Sequence, residues 1–207
     1  MADHNHCDHH EGCGHDHLGH DLGPEDNLFS QIDRANVVAL NGVQDGANVI
    51  KPWSERLDQT KFLESDADDQ IILRIPFTGS IRLRSLLIKA GPEDQTPSKI
   101  VLYANQPNLD FDEVNERTPS QEFELPQSNE VGEYPLKTVK FSNLSSVTLF
   151  IPAAQGAEAS KIYYVGFLGT WSKRNENPVI TVYETQANLA DHPKIQGMDG
   201  AHSSLGQ

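Results

Sequence analysis

The middle of this chain has no histidine and no cysteine. Of the nine histidines, seven fall within the first 20 residues, and the other two are His192 and His202. The only cysteines, Cys7 and Cys13, sit in the same N-terminal stretch. A Ser-His-Asp triad therefore has no rigid base in the body of the chain. Dithiol exchange needs a tuned thiolate and a resolving thiol, and no Cys-x-x-Cys occurs. No apolar run approaches the ~20 residues of a membrane helix, so no membrane contact is expected. The N-terminus has His and Asp where a secretory signal has a basic and then an apolar region. Cytosol and nucleus are the expected compartments. Glycine-rich phosphate loops are absent, and so is any sustained helical period. Basic residues are scarce, 16 against 30 acids, for a net charge of −14. Such a balance excludes a nucleic-acid partner and favours solubility or a basic protein partner.

What is present divides into three parts. Residues 1–26 carry seven acids and no Lys or Arg, interleaved with glycine. With no apolar face to bury, this tail is expected to be disordered. Its His4, His6, Cys7, His9, His10, Cys13, His15, His17 and His20 suit weak binding of Zn, Ni or Cu. The spacing of Cys7 and Cys13 is not that of a structural zinc site, and a solubilising tail is the plainer reading. Residues 27–188 read as one all-β domain, and 189–207 as a flexible C-terminal tail.

The domain is organised around Lys161–Tyr183, the most aromatic stretch. From Ile162 to Leu168 apolar side chains occupy both parities, which predicts a strand covered on both faces. Gly166 and Gly169 permit close packing there. Val179–Tyr183 resumes β-type composition. Earlier, Leu28–Ile32 reads as a short helix or docking segment, and Trp53 as a plug at one end of the core. Ile71–Ile75 is a strand that Pro76 stops or bends, with a turn at Phe77–Ser80 and a new strand from Ile81 to Ala90. Lys99–Tyr103 follows. Gln121–Leu125 alternates, with Phe123 and Leu125 inward. Lys137, Val139 and Phe141 share a face, as do Val147, Leu149 and Ile151. Eight or nine short strands between Gly, Pro, Asn and Ser clusters predict a β-sandwich or jelly roll. Phe62–Gln70 is an acidic loop. Its alternating acids lack the glycine and the final glutamate of a calcium loop, so a solvated turn is expected. Trp53 and Trp171 are expected in the core or as loop plugs rather than as sugar-stacking surfaces.

Three blocks carry a family resemblance: Phe62–Gln70 with Ile71–Leu73 behind it, Leu136–Ile151, and Lys161–Thr170. Together they resemble the PITH domain, whose name stands for proteasome-interacting thioredoxin. The resemblance implies a single jelly-roll sandwich similar to galactose-binding modules. In one branch the module follows a thioredoxin domain. With no Cys-x-x-Cys here, redox activity is not carried over and the stand-alone form is implied. It further implies a non-catalytic interaction module, a monomer, that associates with the 26S proteasome in cytosol and nucleus. Asp66, Asp68 and Asp69 in the acidic loop, with Asp191 and His192 near the C-terminus, are the candidate partner contacts. No cofactor is expected. Two other functions stay open: a small-ligand or sugar-binding jelly roll, and a metal-binding protein acting through its histidine-rich tail.

Overall fold

The computed structural model describes residues 23–174, and every structural statement below concerns these residues. They form an all-β sandwich of jelly-roll type with eight antiparallel strands and no α-helix. In chain order the strands are β1 (Val38–Leu40), β2 (Leu63–Glu64), β3 (Ile71–Ala90), β4 (Lys99–Ala104), β5 (Gln121–Glu124), β6 (Gly132–Pro135), β7 (Leu144–Ile151) and β8 (Lys161–Ser172).

The two layers come from one strand. β3 runs for 20 residues. Its first arm, from Ile71 to Pro76, pairs with β7 and β1. Its second arm, from Ser80 to Ala90, pairs with β8 and β6. Between the arms the register against β7 shifts at Pro76–Ile81. Pro76 has no N–H to offer the ladder there. At Gly79 a Cβ would overlap the Trp171 indole, so only glycine fits the bend. Both ends of β3 come back to the start of β8. Ser160 Oγ donates to Asp69 O at 2.6 Å, and Gly91 N–H donates to Lys161 O at 2.7 Å. Of the two readings at Pro76, a stop or a bend, the structure shows the bend, whereas the turn expected at Phe77–Ser80 is part of the continuous strand.

One layer holds β1, the first arm, β7, β4 and β5; the other holds β2, β8, the second arm and β6. Ile71, Leu73 and Ile75 face the space between them, with Ile100, Leu102, Val147, Leu149, Ile151, Val165 and Phe167. Removing each such side chain from water contributes about 1.5–3 kcal/mol. A register shift between Leu83 and Ser85 changes parity, so Ile81 and Leu83, then Leu86 and Ile88, all reach the core. The outer faces are also covered. Leu109 and Val114 close over Ile72, Val101, Tyr103 and Phe150. Trp53 packs on Leu87, Tyr164 and Leu168, so it covers an outer face rather than plugging an end.

Residues 28–32 meet both halves of their expectation. Phe29–Gln31 makes one 3-10 turn, and Leu28 N–H donates to Phe167 O on β8. Two other expectations fail. Residues 137–141 form a turn closed by Lys140 N–H on Lys137 O, and Val139 is 89 % exposed. Phe141 alone is buried, its carbonyl taking the Leu83 N–H. Trp171 stands at the end of β8 and is 44 % exposed. The segment Val179–Tyr183 lies outside the described residues.

Candidate partner-binding surface

Three loops meet at the end of the sandwich where β3 begins and finishes: residues 66–70, 91–98 and 152–160. They contain Asp66, Asp68, Asp69, Glu93, Asp94 and Glu158, and no Lys or Arg. The third loop ties the other two together. Asp69 Oδ2 accepts from Ala154 N at 2.8 Å. Gln155 N–H donates to Thr96 O and Ala157 N–H to Asp94 O. Ser98 N–H donates to Ala153 O at 2.8 Å.

The acidic loop is shaped from outside itself. Asn41 closes β1 in the left-handed region, at φ 58°, where asparagine is tolerated better than most residues. That conformation aims its amide at the loop. Asn41 Nδ2 donates to Asp68 Oδ1 and to Gln70 O, both at 2.7 Å. Its Oδ1 accepts from Ala67 N at 2.9 Å, and its carbonyl from Asp66 N at 3.2 Å. Asp68 Oδ1 also takes the Gln70 N–H. The three candidate acids therefore differ in role. Asp68 and Asp69 spend carboxylate oxygens on holding the loop, whereas the exposed Asp66 carboxylate has no partner among the described residues. The structure brings these three together with Glu93, Asp94 and Glu158, which the sequence did not single out. Asp191, His192 and the nine tail His and Cys residues lie outside the described residues.

No group of three His, Cys, Asp or Glu side chains among the described residues could hold a metal ion. Asp66, Asp68, Glu93, Asp94 and Glu158 are exposed, and Asp69 is half-buried. The two lysines that directly follow these loops are committed elsewhere, Lys161 to Glu64 at 3.0 Å and Lys99 to Glu122 at 3.4 Å. Lys89 is buried and donates to Asn129 O. What this arrangement can do chemically is present negative charge on a fixed backbone.

The Trp53 ring is partly covered by its neighbours. Gly23 and the Arg56 guanidinium both pack against the Trp53 ring, the guanidinium 4.4 Å from its centroid. Under Trp53 the Tyr164 hydroxyl and Asn27 Nδ2 lie buried without a well-formed hydrogen bond. Burial pushes the Tyr164 phenol up, and the nearby Asn27 amide offsets part of that. Lys51, 3 % exposed, bridges the loop after Trp53 by donating to Asp58 O and Lys61 O. Loss of hydration lowers the affinity of its amine for the proton, although Asp58 opposes this.

Comparison with known proteins matches residues 19–187 to the PITH domain. PITH domain-containing protein 1 of Homo sapiens is 39% identical over 170 residues, covering 80% of each chain. PITH domain-containing protein CG6153 of Drosophila melanogaster is 36% identical over 211 residues, covering 98% of this chain and 99% of its own. Among solved structures, the CBM32-1 and CBM32-2 domains from Clostridium perfringens ZmpB align at a TM-score of 0.51 with 8% identity, covering 69% of this chain and 35% of theirs. A family 89 glycoside hydrolase from Clostridium perfringens, CpGH89, aligns at 0.51 with 11% identity, covering 73% of this chain and 16% of its own. At such identities the likeness is one of fold alone.

Proposed function

The chain belongs to the PITH domain family, and from that premise we propose that it is a non-catalytic interaction module that docks on a large protein assembly, the 26S proteasome. The observation that carries this reading is the acidic end of the sandwich, where three cross-braced loops display six acids and no base. A rigid display loses little conformational entropy on binding, and its charge steers a basic surface towards it. Asp66 is the leading contact, with Glu93, Asp94 and Glu158 beside it; Asp68 and Asp69 position the loop. Asp191 and His192 are proposed as further contacts. A monomer in cytosol and nucleus fits this role. The tail histidines and cysteines are proposed to bind Zn, Ni or Cu weakly, which equilibrium dialysis on the full chain measures.

The test is capture of purified 26S proteasome by the full chain, beside calorimetry against a sugar panel. Saturable capture with silent sugar titrations is expected. Sugar binding without capture would make the chain a ligand-binding jelly roll instead.

A further inference from the structure

The edge of β8 that faces away from β3 is only partly used. At its start β2 pairs with Lys161 and Ile162. In its middle the entry segment takes the edge: Leu28 N–H donates to Phe167 O at 3.0 Å, and Gly169 N–H donates to Asp26 O at 2.9 Å. The entry segment then turns off, with Asn27 N–H on Pro24 O and Gly23 against Trp53. Past Gly169, no described residue pairs with this edge.

The register fixes where the next main-chain groups point. Leu83 faces Gly169 across the β3–β8 pair, yet Leu83 donates its N–H the other way, to Phe141 O. That makes Leu83 and Gly169 a pair whose main-chain groups turn outward. Two residues on, Ile81 faces Trp171 in the same phase. The N–H and C=O of Trp171 therefore open onto the free edge.

The occupied rung shows what this edge accepts. Asp26 gives its main-chain oxygen to Gly169 and its carboxylate to Arg84, at 2.8 Å from both Nε and Nη2. Arg82 is the next cation on the same outer face, across from Thr170, and it is exposed. Neither Arg82 nor Lys173 nor Arg174 has an ion pair among the described residues. The Trp171 indole is exposed at the same strand end, held over Gly79 on the face opposite to Arg82. The chain is strongly acidic, so three cations without an ion pair among the described residues, with an exposed indole at the same strand end, are out of keeping with its surface.

We propose that the β8 edge at Trp171 is a strand-addition site for an extended acidic segment of a partner protein. The segment's main chain pairs with Trp171. One carboxylate meets Arg82, repeating the Asp26–Gly169–Arg84 unit one rung further along, and an apolar neighbour covers the indole. This rests on the reading of the chain as an interaction module. It adds a second surface, of opposite charge and at the other end from the acidic loops.

The probe is a capped hexapeptide of alternating Asp and Val, titrated into the isotope-labelled full chain. Amide and indole resonances of Trp171, with those of Thr170 to Lys173, are expected to shift. Exchange of the Trp171 amide is expected to slow. Arg82→Glu should weaken the peptide at least tenfold and Arg82→Lys should weaken it less. A peptide N-methylated along its pairing edge should not bind, and affinity should fall with salt. Arg82 is exposed and unpaired, so a melting curve should show both variants folded. Shifts centred on another face, equal affinity of Arg82→Glu, or a Trp171 amide already protected before peptide is added would each overturn the site. Undiminished proteasome capture beside a silent peptide titration would remove this site and leave the module reading standing.

Discussion

Asn41→Ala should loosen the acidic loop and cost the whole domain stability. The side chain holds three good hydrogen bonds: two donated, to Asp68 Oδ1 and Gln70 O, and one accepted from Ala67 N. The bond to the Asp68 carboxylate is charge-assisted and contributes about 1.5–3 kcal/mol; the others contribute about 0.5–1.5 kcal/mol each. Water reaches this loop and offsets part of the loss. Alanine at φ 58° adds about 1 kcal/mol of backbone strain that asparagine bears more easily. The expected total for Asn41→Ala is about 2–4 kcal/mol. Asn41→Gly loses the same bonds without the strain, so it should be milder by about 1 kcal/mol. Urea unfolding of the three chains measures both differences. Amide exchange adds the local readout, because the Ala67 and Gln70 N–H groups should exchange faster in both variants. Unchanged midpoints together with unchanged exchange at Ala67 and Gln70 would refute the bracing role of Asn41.

Other expectations test the packing and the charges. Gly169→Ala should be strongly destabilising, by about 3 kcal/mol or more, because its Cβ would overlap Arg82 O and lie 3.0 Å from Leu83 Cα, both backbone atoms that cannot swing away; thermal melting measures this. Tyr164→Phe should cost less than about 0.5 kcal/mol, since its buried hydroxyl has no well-formed hydrogen bond, whereas Tyr103→Phe should cost about 1 kcal/mol by orphaning Val114 O, which its hydroxyl meets at 2.8 Å; paired denaturant curves decide both. Asp58 has its carboxyl held below the ordinary 3.8 first by the Thr60 backbone N–H, then by the Thr60 hydroxyl. The folded state therefore binds that proton less readily than the unfolded chain. Its contribution is present above 3.8 and lost as pH falls through the lower folded value. Asp58→Asn should remove that part of the acid dependence, seen by comparing acid unfolding of the two chains.

The strands were legible where one face alternates or both faces are apolar. Gln121–Leu125 and Val147–Ile151 carry a period of two, and Ile162–Leu168 is greasy at both parities because Trp53 and its neighbours cover its outer side. The same rule misread residues 137–141. Alternation there is real, but the second arm of β3 takes only the Phe141 carbonyl, and a turn leaves Val139 in water. Pro76 and Gly79 signalled an interruption, which the fold realises as a bend that carries one strand between layers. The acids of the candidate surface were visible as residues. Asn41 was not, because its partners lie 26 to 29 positions away and its neighbour Gly42 suggests an ordinary turn. Glu93, Asp94 and Glu158 were missed because only the folding of β3 back on itself brings their loops to Asp66. Trp171 looked like core from its bulk. Its position past the last covered rung of β8 is a matter of register that no local pattern encodes.

The most direct measurement is the affinity of purified 26S proteasome for the full chain carrying Asp66→Lys, Glu93→Lys and Glu158→Lys together. These three side chains are exposed and take no part in bracing the loops, so the fold should persist. Wild-type chain should bind saturably, and the triple variant at least tenfold more weakly. Equal affinity of the two chains would contradict docking through the acidic end, and absence of wild-type binding would contradict the choice of partner.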